Sequence, residues 1–360
     1  MQISDHRQSA RRGLSAWICL ALLILGSGTD KVQAESFTAA DPDINKKPNV
    51  YGYIQFQVIN LPIDTNNDGD VNEGRSRVQR SRLSVEGDIN RYVSYELDID
   101  PRGPEVTGKM RDAFFDIKYM DKHRIRLGQQ KTPFGLENSI SSSKLYFVNR
   151  SEMADEMARG LNLRDQGVSL IGQWDFRATS KLEYHLAIVN GSGMNVQRDN
   201  NKKKSLWGRV GFRGKRGDSK WRLGLSGAKA DRFEEADPEA GEEEFFLHFK
   251  NVGTDFTYDH SRLILNGEFA LGPREELDEK ETVNSFYLMM VGKTSKDFGS
   301  VLRYDTFNID EFQRWTVGAY YGLPKHAVRF MLNYEFRFEE DDVIDNAVDD
   351  RFYLWTQVRF

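Results

Sequence analysis

The chain has 360 residues, 39% hydrophobic and 12% aromatic, enough for one large barrel or two ordinary domains. Fifty Lys and Arg against fifty-five Asp and Glu leave a formal charge of -5, which excludes a general nucleic-acid binder. The single cysteine, Cys19, excludes an intramolecular disulfide framework and a cysteine-based zinc cluster, and the overall polarity excludes a bundle of membrane helices.

Residues 1–34 have the pattern of a secretory signal. Arg7, Arg11 and Arg12 precede an apolar run over 17–25 that is far too short to span a bilayer. Val32-Gln33-Ala34 suits cleavage, so the mature chain is expected to begin at Glu35, without Cys19. Residues 35–48 read as a short periplasmic lead to a single domain over 49–360.

From residue 49 one kind of segment repeats, with alternate residues apolar over roughly the length a tilted membrane strand needs. Ile54, Phe56 and Val58 oppose Tyr53, Gln55 and Gln57. Leu83 and Val85 oppose Arg80, Arg82, Ser84 and Glu86. Near the end, Phe330, Leu332, Tyr334, Phe336 and Phe338 oppose Arg329, Asn333, Glu335 and Arg337. About sixteen strands are predicted, near 49–60, 76–89, 91–100, 110–120, 123–131, 164–177, 180–191, 204–215, 219–230, 244–258, 261–272, 283–295, 297–308, 312–323, 325–339 and 350–360.

The last strand, RFYLWTQVRF, places Phe352, Leu354, Thr356, Val358 and Phe360 on one face. A bare edge strand ending in Phe invites aggregation, so pairing back to the first strand in a closed barrel is the better reading than a soluble sandwich. The links decide between them. Tight turns around Asn90, Asp121-Lys122, Thr179, Gly217-Asp218, Asp259-His260, Lys296 and Pro324-Lys325 alternate with longer polar links over 64–74, 132–163, 190–203, 231–243, 273–282 and 339–349. The expected fold is therefore all-β, a closed antiparallel transmembrane barrel with short periplasmic turns and long extracellular loops.

Three patches carry a family resemblance. Gln79-Arg80-Ser81-Arg82-Leu83-Ser84-Val85-Glu86-Gly87 is similar to an R-x-R-L-x-x-x-G strand. Gly128-Gln129-Gln130-Lys131-Thr132-Pro133-Phe134-Gly135-Leu136-Glu137 is similar to a G-x-x-K-x-P-F-G-x-E segment, and Arg164-Asp165-Gln166-Gly167-Val168 to an R-D-x-G-V strand start. All three belong to the phosphate-selective porin O and P family. The resemblance implies a water-filled channel in the outer membrane of a Gram-negative-type bacterium, passing small ions or hydrophilic solutes, set among outer-membrane lipid and lipopolysaccharide and usually trimeric. Phosphate selectivity belongs to a few members and does not follow from the family name.

Candidate lumen residues follow from the inward faces. The link over 132–163 suits either a loop folded into a polar lumen or a solvated external loop. Arg80 and Arg82 could attract anions, but a turn at Asn90 sets Arg82 opposite Asp98 and Arg80 near Asp100, so cross-strand ion pairs are the plainer reading. The turn at Asp121-Lys122 sets Arg126 near Lys118, with Arg124 and Lys131 on the same face, and Glu137 lies close by. Arg213 approaches Arg222 in the same way. These basic clusters are expected to be less cancelled by carboxylates and to give a mild anion preference, against acidic external loops at 234–244 and 339–342. Asp64, Asn66, Asp68 and Asn72 resemble the start of a calcium loop, but Arg75 stands where the bidentate glutamate belongs, so a polar loop is the better reading. No nucleophile-elbow, zinc-protease or phosphate-loop motif occurs, so neither enzymatic activity nor a cofactor is expected. The competing function is a non-conducting structural or adhesive barrel that binds partners through its acidic loops.

Overall fold

A computed structural model describes residues 47–60, 74–102, 110–159, 164–196, 203–234, 245–276, 279–295, 297–308, 311–322, 327–339 and 350–360. Sixteen strands close into one antiparallel barrel in which each strand bonds to its sequence neighbours. They are β1 (Asn49–Ile59), β2 (Arg75–Asp88), β3 (Val93–Ile99), β4 (Met110–Met120), β5 (His123–Lys131), β6 (Arg164–Arg177), β7 (Ser180–Val189) and β8 (Ser205–Arg216). They continue with β9 (Ser219–Glu234), β10 (Phe245–His260), β11 (Leu263–Glu276), β12 (Glu279–Lys293), β13 (Phe298–Phe307), β14 (Phe312–Tyr321), β15 (Val328–Glu339) and β16 (Arg351–Arg359).

The period of two becomes two faces. On β16, Leu354 and Val358 are exposed on the outside while Tyr353, Trp355 and Gln357 are buried inside. The outer face of the barrel is an apolar band, with Leu223, Leu225, Ile188 and Val252 all more than half exposed. Such a surface is stable only against lipid. Among the described residues no helix is long and apolar enough to cross a membrane.

Closure works as the terminal strand implied. β16 pairs with β1 from Tyr53↔Arg359 to Ile59↔Tyr353. The Gly52 N–H donates to the Phe360 carbonyl at 2.9 Å, and the Phe360 N–H donates back at 3.1 Å. A Cβ at position 52 would stand 2.7 Å from the Phe360 ring and 2.4 Å from the Arg82 carbonyl, so only glycine lets the terminal aromatic lie flat across the seam.

The structure corrects several details. The turn after β10 is Ser261-Arg262, because Asp259 and His260 still pair with Ile264 and Leu263. β11 and β12 run on to Glu276↔Glu279, leaving two residues where a link over 273–282 was expected. The β2–β3 register differs from the expected one by two residues: Ser84 faces Asp98, which brings Arg82 to Asp100. Asn90 is the cause. Its Oδ1 accepts the Tyr92 and Val93 N–H groups, both at 2.8 Å, and widens the turn to residues 89–92. A bulge between Lys118 and Met120 likewise sets Arg126 opposite Asp116 and Arg124 opposite Lys118, so Arg126 does not face Lys118.

Candidate channel lumen

The segment over 132–159 folds into the barrel. It contains a single helical turn, α1 (Leu136–Ser139), a tight turn at Ser142–Lys144 and a wide helical turn at Met153–Arg159. Its apolar side chains Phe134, Leu136, Phe147, Val148, Met153 and Met157 are at most 3% exposed. Phe134 stacks edge-on against Trp207, and Trp207 against Phe249, so the inner wall of β8–β10 receives the loop with aromatic rings.

The first fastening is the Lys131-Thr132-Pro133-Phe134-Gly135-Leu136-Glu137 stretch. Glu268 on β11 accepts the N–H groups of Leu136, at 2.7 Å, and Glu137, so its carboxyl group caps the first turn of α1. The Tyr287 hydroxyl donates to the same carboxylate at 2.7 Å. Gly135 makes that approach possible: its φ is 71°, and a Cβ there would stand 2.7 Å from Glu268 Oε2. The Glu137 side chain accepts from the Ser151 N–H and hydroxyl, and Lys131 Nζ donates to the Asn138 and Ile140 carbonyls.

The second fastening lies on β13–β15. Arg303 donates to the Asn149 and Arg150 carbonyls, Arg314 to the Arg150 carbonyl, and Arg329 to those of Ser143 and Leu145. These three guanidiniums are at most 2% exposed. Asp305 pairs with Arg314 at 2.6 Å and with Arg303 at 3.1 Å, and it accepts the Glu152 N–H. Asn333 and Glu335 take the Val148 N–H and the Asn149 amide. This group was not singled out in the sequence. Its only trace there is an unusual density of charge on inward positions of consecutive strands.

The open space lies opposite. A cavity of ≈ 630 Å³ is bounded by the loop and by inward side chains of β1–β7, including Arg80, Arg82, Arg126 and Lys131. A second, of ≈ 430 Å³, takes Arg124, Arg209 and Arg222. Pro133, Ser139 and His185 border both, so the two meet at the loop. Arg213 borders a separate cavity of ≈ 380 Å³ with Lys215, Lys220 and Trp221. Two candidates stand apart from these spaces. Glu137 is 3% exposed and is spent on Ser151, and Lys118 pairs with Asp88 at 3.2 Å.

Carboxylates are more involved than the strand pairs alone suggested. Arg124 and Arg126 share Asp116, at 2.9 and 2.8 Å. Arg213 and Arg222 share Glu183 of β7, at 2.9 and 3.0 Å. Each carboxylate thus serves two arginines and leaves one positive charge over. Arg80 donates to Gln55, and Arg82 is paired with Asp100 at 3.1 Å. The opposite sign gathers on β2–β4, where Glu86 faces Glu96 and Asp98 faces Asp112. Outside the spanning strands, burial pushes the Asp100 carboxyl up, but Arg102 and Arg82 outweigh it and hold it below the usual range. Asp64, Asn66, Asp68 and Asn72 lie outside the described residues, as do the side chains of the acidic stretches 234–244 and 339–342.

A sixteen-stranded barrel with a lipid-facing exterior, a charged interior and a loop folded into it is a porin of the bacterial outer membrane, a water-filled channel. The chain belongs to the phosphate-selective porin O and P family, whose sequence profile matches residues 49–270. No curated protein sequence matches it. Solved barrels share the fold at low identity. The outer membrane protein OmpT of Vibrio cholerae, in its trimer form, is 11% identical with a TM-score of 0.60, covering 87% of this chain and 99% of that one. The anion-selective porin of Comamonas acidovorans is 13% identical with a TM-score of 0.59, over 87% and 99%. The channel DcaP of Acinetobacter baumannii is 12% identical with a TM-score of 0.53, over 87% and 97%.

Proposed function

We propose that the channel passes small hydrophilic anions, phosphate among them, by passive diffusion and without a catalytic step. One observation carries this reading. The larger cavity is bordered by nine Lys and Arg against four Asp and Glu, and an excess of positive charge remains after Asp100 and Asp116, which pair with Arg82 and Arg126 behind the wall, are counted. In a narrow passage with low-dielectric walls such an excess raises the local anion concentration. The loop supports the reading by leaving solute a path along the basic wall rather than the whole bore. Residues 80, 82, 124, 126, 131 and 222 are the proposed solute contacts. We place the barrel among outer-membrane lipid and lipopolysaccharide as a homotrimer, in line with the trimeric form of the Vibrio barrel.

Reversal potential across a salt gradient in planar bilayers tests the selectivity. Wild type should favour anions, and Arg126→Ala/Lys131→Ala should lower the anion-to-cation ratio. A cation-selective wild type, or a variant with the same ratio, would refute the assignment. Folded protein without stepwise conductance would instead favour the adhesive role.

A further inference from the structure

The outer wall carries a basic cluster that the lumen does not use. Lys229 on β9 and Lys250 on β10 face each other directly in the ladder. Both point outward. Ala228 and Ala230 beside Lys229, and Phe249 and Asn251 beside Lys250, are buried on the inner face, while both lysines are exposed. Like charges directly opposite each other destabilise a sheet unless something neutralises them. The cost falls at a telling height. One step toward the middle of the barrel the same face presents Val252 against Leu271, and Lys229 itself pairs with Leu206. Val252 is 56% exposed and Leu206 48%, so the lipid band begins there. One step the other way Lys204 precedes β8 and bonds Asn190 at 2.9 Å, and His248 stands in register with Asp231 and Glu275. Lys203, Lys204, Lys229, His248, Lys250 and Pro273, together with the inward-facing Ala230 and Phe249, border a cavity of ≈ 460 Å³ that reaches over the rim. This is the rim of long links, at the outer leaflet.

We propose that this cluster binds a phosphorylated glycolipid headgroup of the outer leaflet. The Lys229 and Lys250 ammoniums take its phosphate, and its acyl chains lie along Leu206, Val252 and Leu271. Lysine suits a phosphate as a mobile point charge with three donors. A lipid fits better than free phosphate because the pair stands directly above exposed apolar side chains, and only an amphiphile satisfies both. The site rests on the barrel's place in outer-membrane lipid and not on the ion preference of the lumen.

The test uses the folded full-length protein in non-ionic detergent, with bis-phosphorylated lipid A as probe and native mass spectrometry as readout. Lys229→Gln/Lys250→Gln should bind about tenfold less of it than wild type, while Lys229→Arg/Lys250→Arg retains it. Lys215 and Lys220, opposite each other near the other rim, provide a control of equal charge: Lys215→Gln/Lys220→Gln should bind like wild type. Equal binding by Lys229→Gln/Lys250→Gln and wild type would overturn the proposal. So would equal binding of dephosphorylated lipid A, or full displacement by inorganic phosphate at the lipid's own concentration. Should the double glutamine variant lose its heat-modifiable migration, Lys229→Gln and Lys250→Gln alone should each show part of the same loss. Conductance in bilayers, read in parallel, should be unchanged, so a failed lipid site and a failed channel give different results.

Discussion

Arg303, Arg314 and Arg329 each spend a guanidinium on backbone carbonyls of the inner loop. A fork of fixed donors can hold two acceptors at once, which a lysine ammonium cannot do with the same geometry. The arrangement buries charge, and it is tolerable because Asp305 and Glu335 stand beside Arg314 at 2.6 and 3.7 Å. Glu152 in the loop joins them, 2.8 Å from Arg314. Burial pushes its carboxyl from 4.5 up to about 7; Arg314 pulls the other way, while Asp305, Asp155 and Glu156 add to the rise. The unfolded chain releases this proton near 4.5 and the folded chain near 7, so the folded state binds more protons between those values. Its contribution to stability is therefore full below the lower value and is lost as the pH climbs through the upper one. Glu152→Gln should flatten that slope. Urea midpoints measured from pH 4 to 8 check this, and parallel slopes for variant and wild type would count against it. None of these partnerships was visible in the chain, since Arg303 meets residues some 150 positions away and only closure brings them together.

At the scale of elements, the strands were legible because membrane strands obey one rule, apolar outside and polar inside, for their whole length. β4, β5 and β6 fall where the alternation put them. Register was less legible, because it depends on how a turn spends its residues. Asn90 and the bulge at Lys118 each moved a pairing, and a two-residue shift keeps every side chain on its face while changing its partner. Glu183 escaped for a related reason: it reaches Arg213 and Arg222 diagonally from a third strand, which a two-strand register does not show. The family's most specific motif is explained at this scale as the anchor of the inner loop. Glu268→Ala would leave the Leu136 and Glu137 amides and the Tyr287 hydroxyl without this acceptor, at about 1–3 kcal/mol for each buried donor. Amide exchange at Leu136 and Glu137 should then quicken while the barrel amides stay protected. Unchanged protection at those two positions would mean that the aromatic contacts of Phe134 hold the loop alone.

The whole molecule has a direction, and the links supply it. Two-residue turns at Asp121-Lys122, Gly217-Asp218 and Ser261-Arg262 crowd one rim, and both ends of the barrel, Asn49 and Phe360, open on that same rim. The inner loop and the links between β1 and β2, β7 and β8, β9 and β10, and β15 and β16 leave from the other. An outer-membrane barrel keeps its termini and short turns in the periplasm, so Asp237, in the link between β9 and β10, belongs at the cell surface. The placement matters beyond topology. It puts the outward lysine pair of β9 and β10 in the outer leaflet. Since the mature chain is expected to lack Cys19, Asp237→Cys should react with an impermeant maleimide on intact cells, and Asp121→Cys only after lysis. The opposite pattern would turn the barrel over, move the lysine pair to the periplasmic leaflet and remove the ground for a glycolipid there. The role proposed for the basic walls of the lumen would be unaffected, since an ion entering from either end meets them.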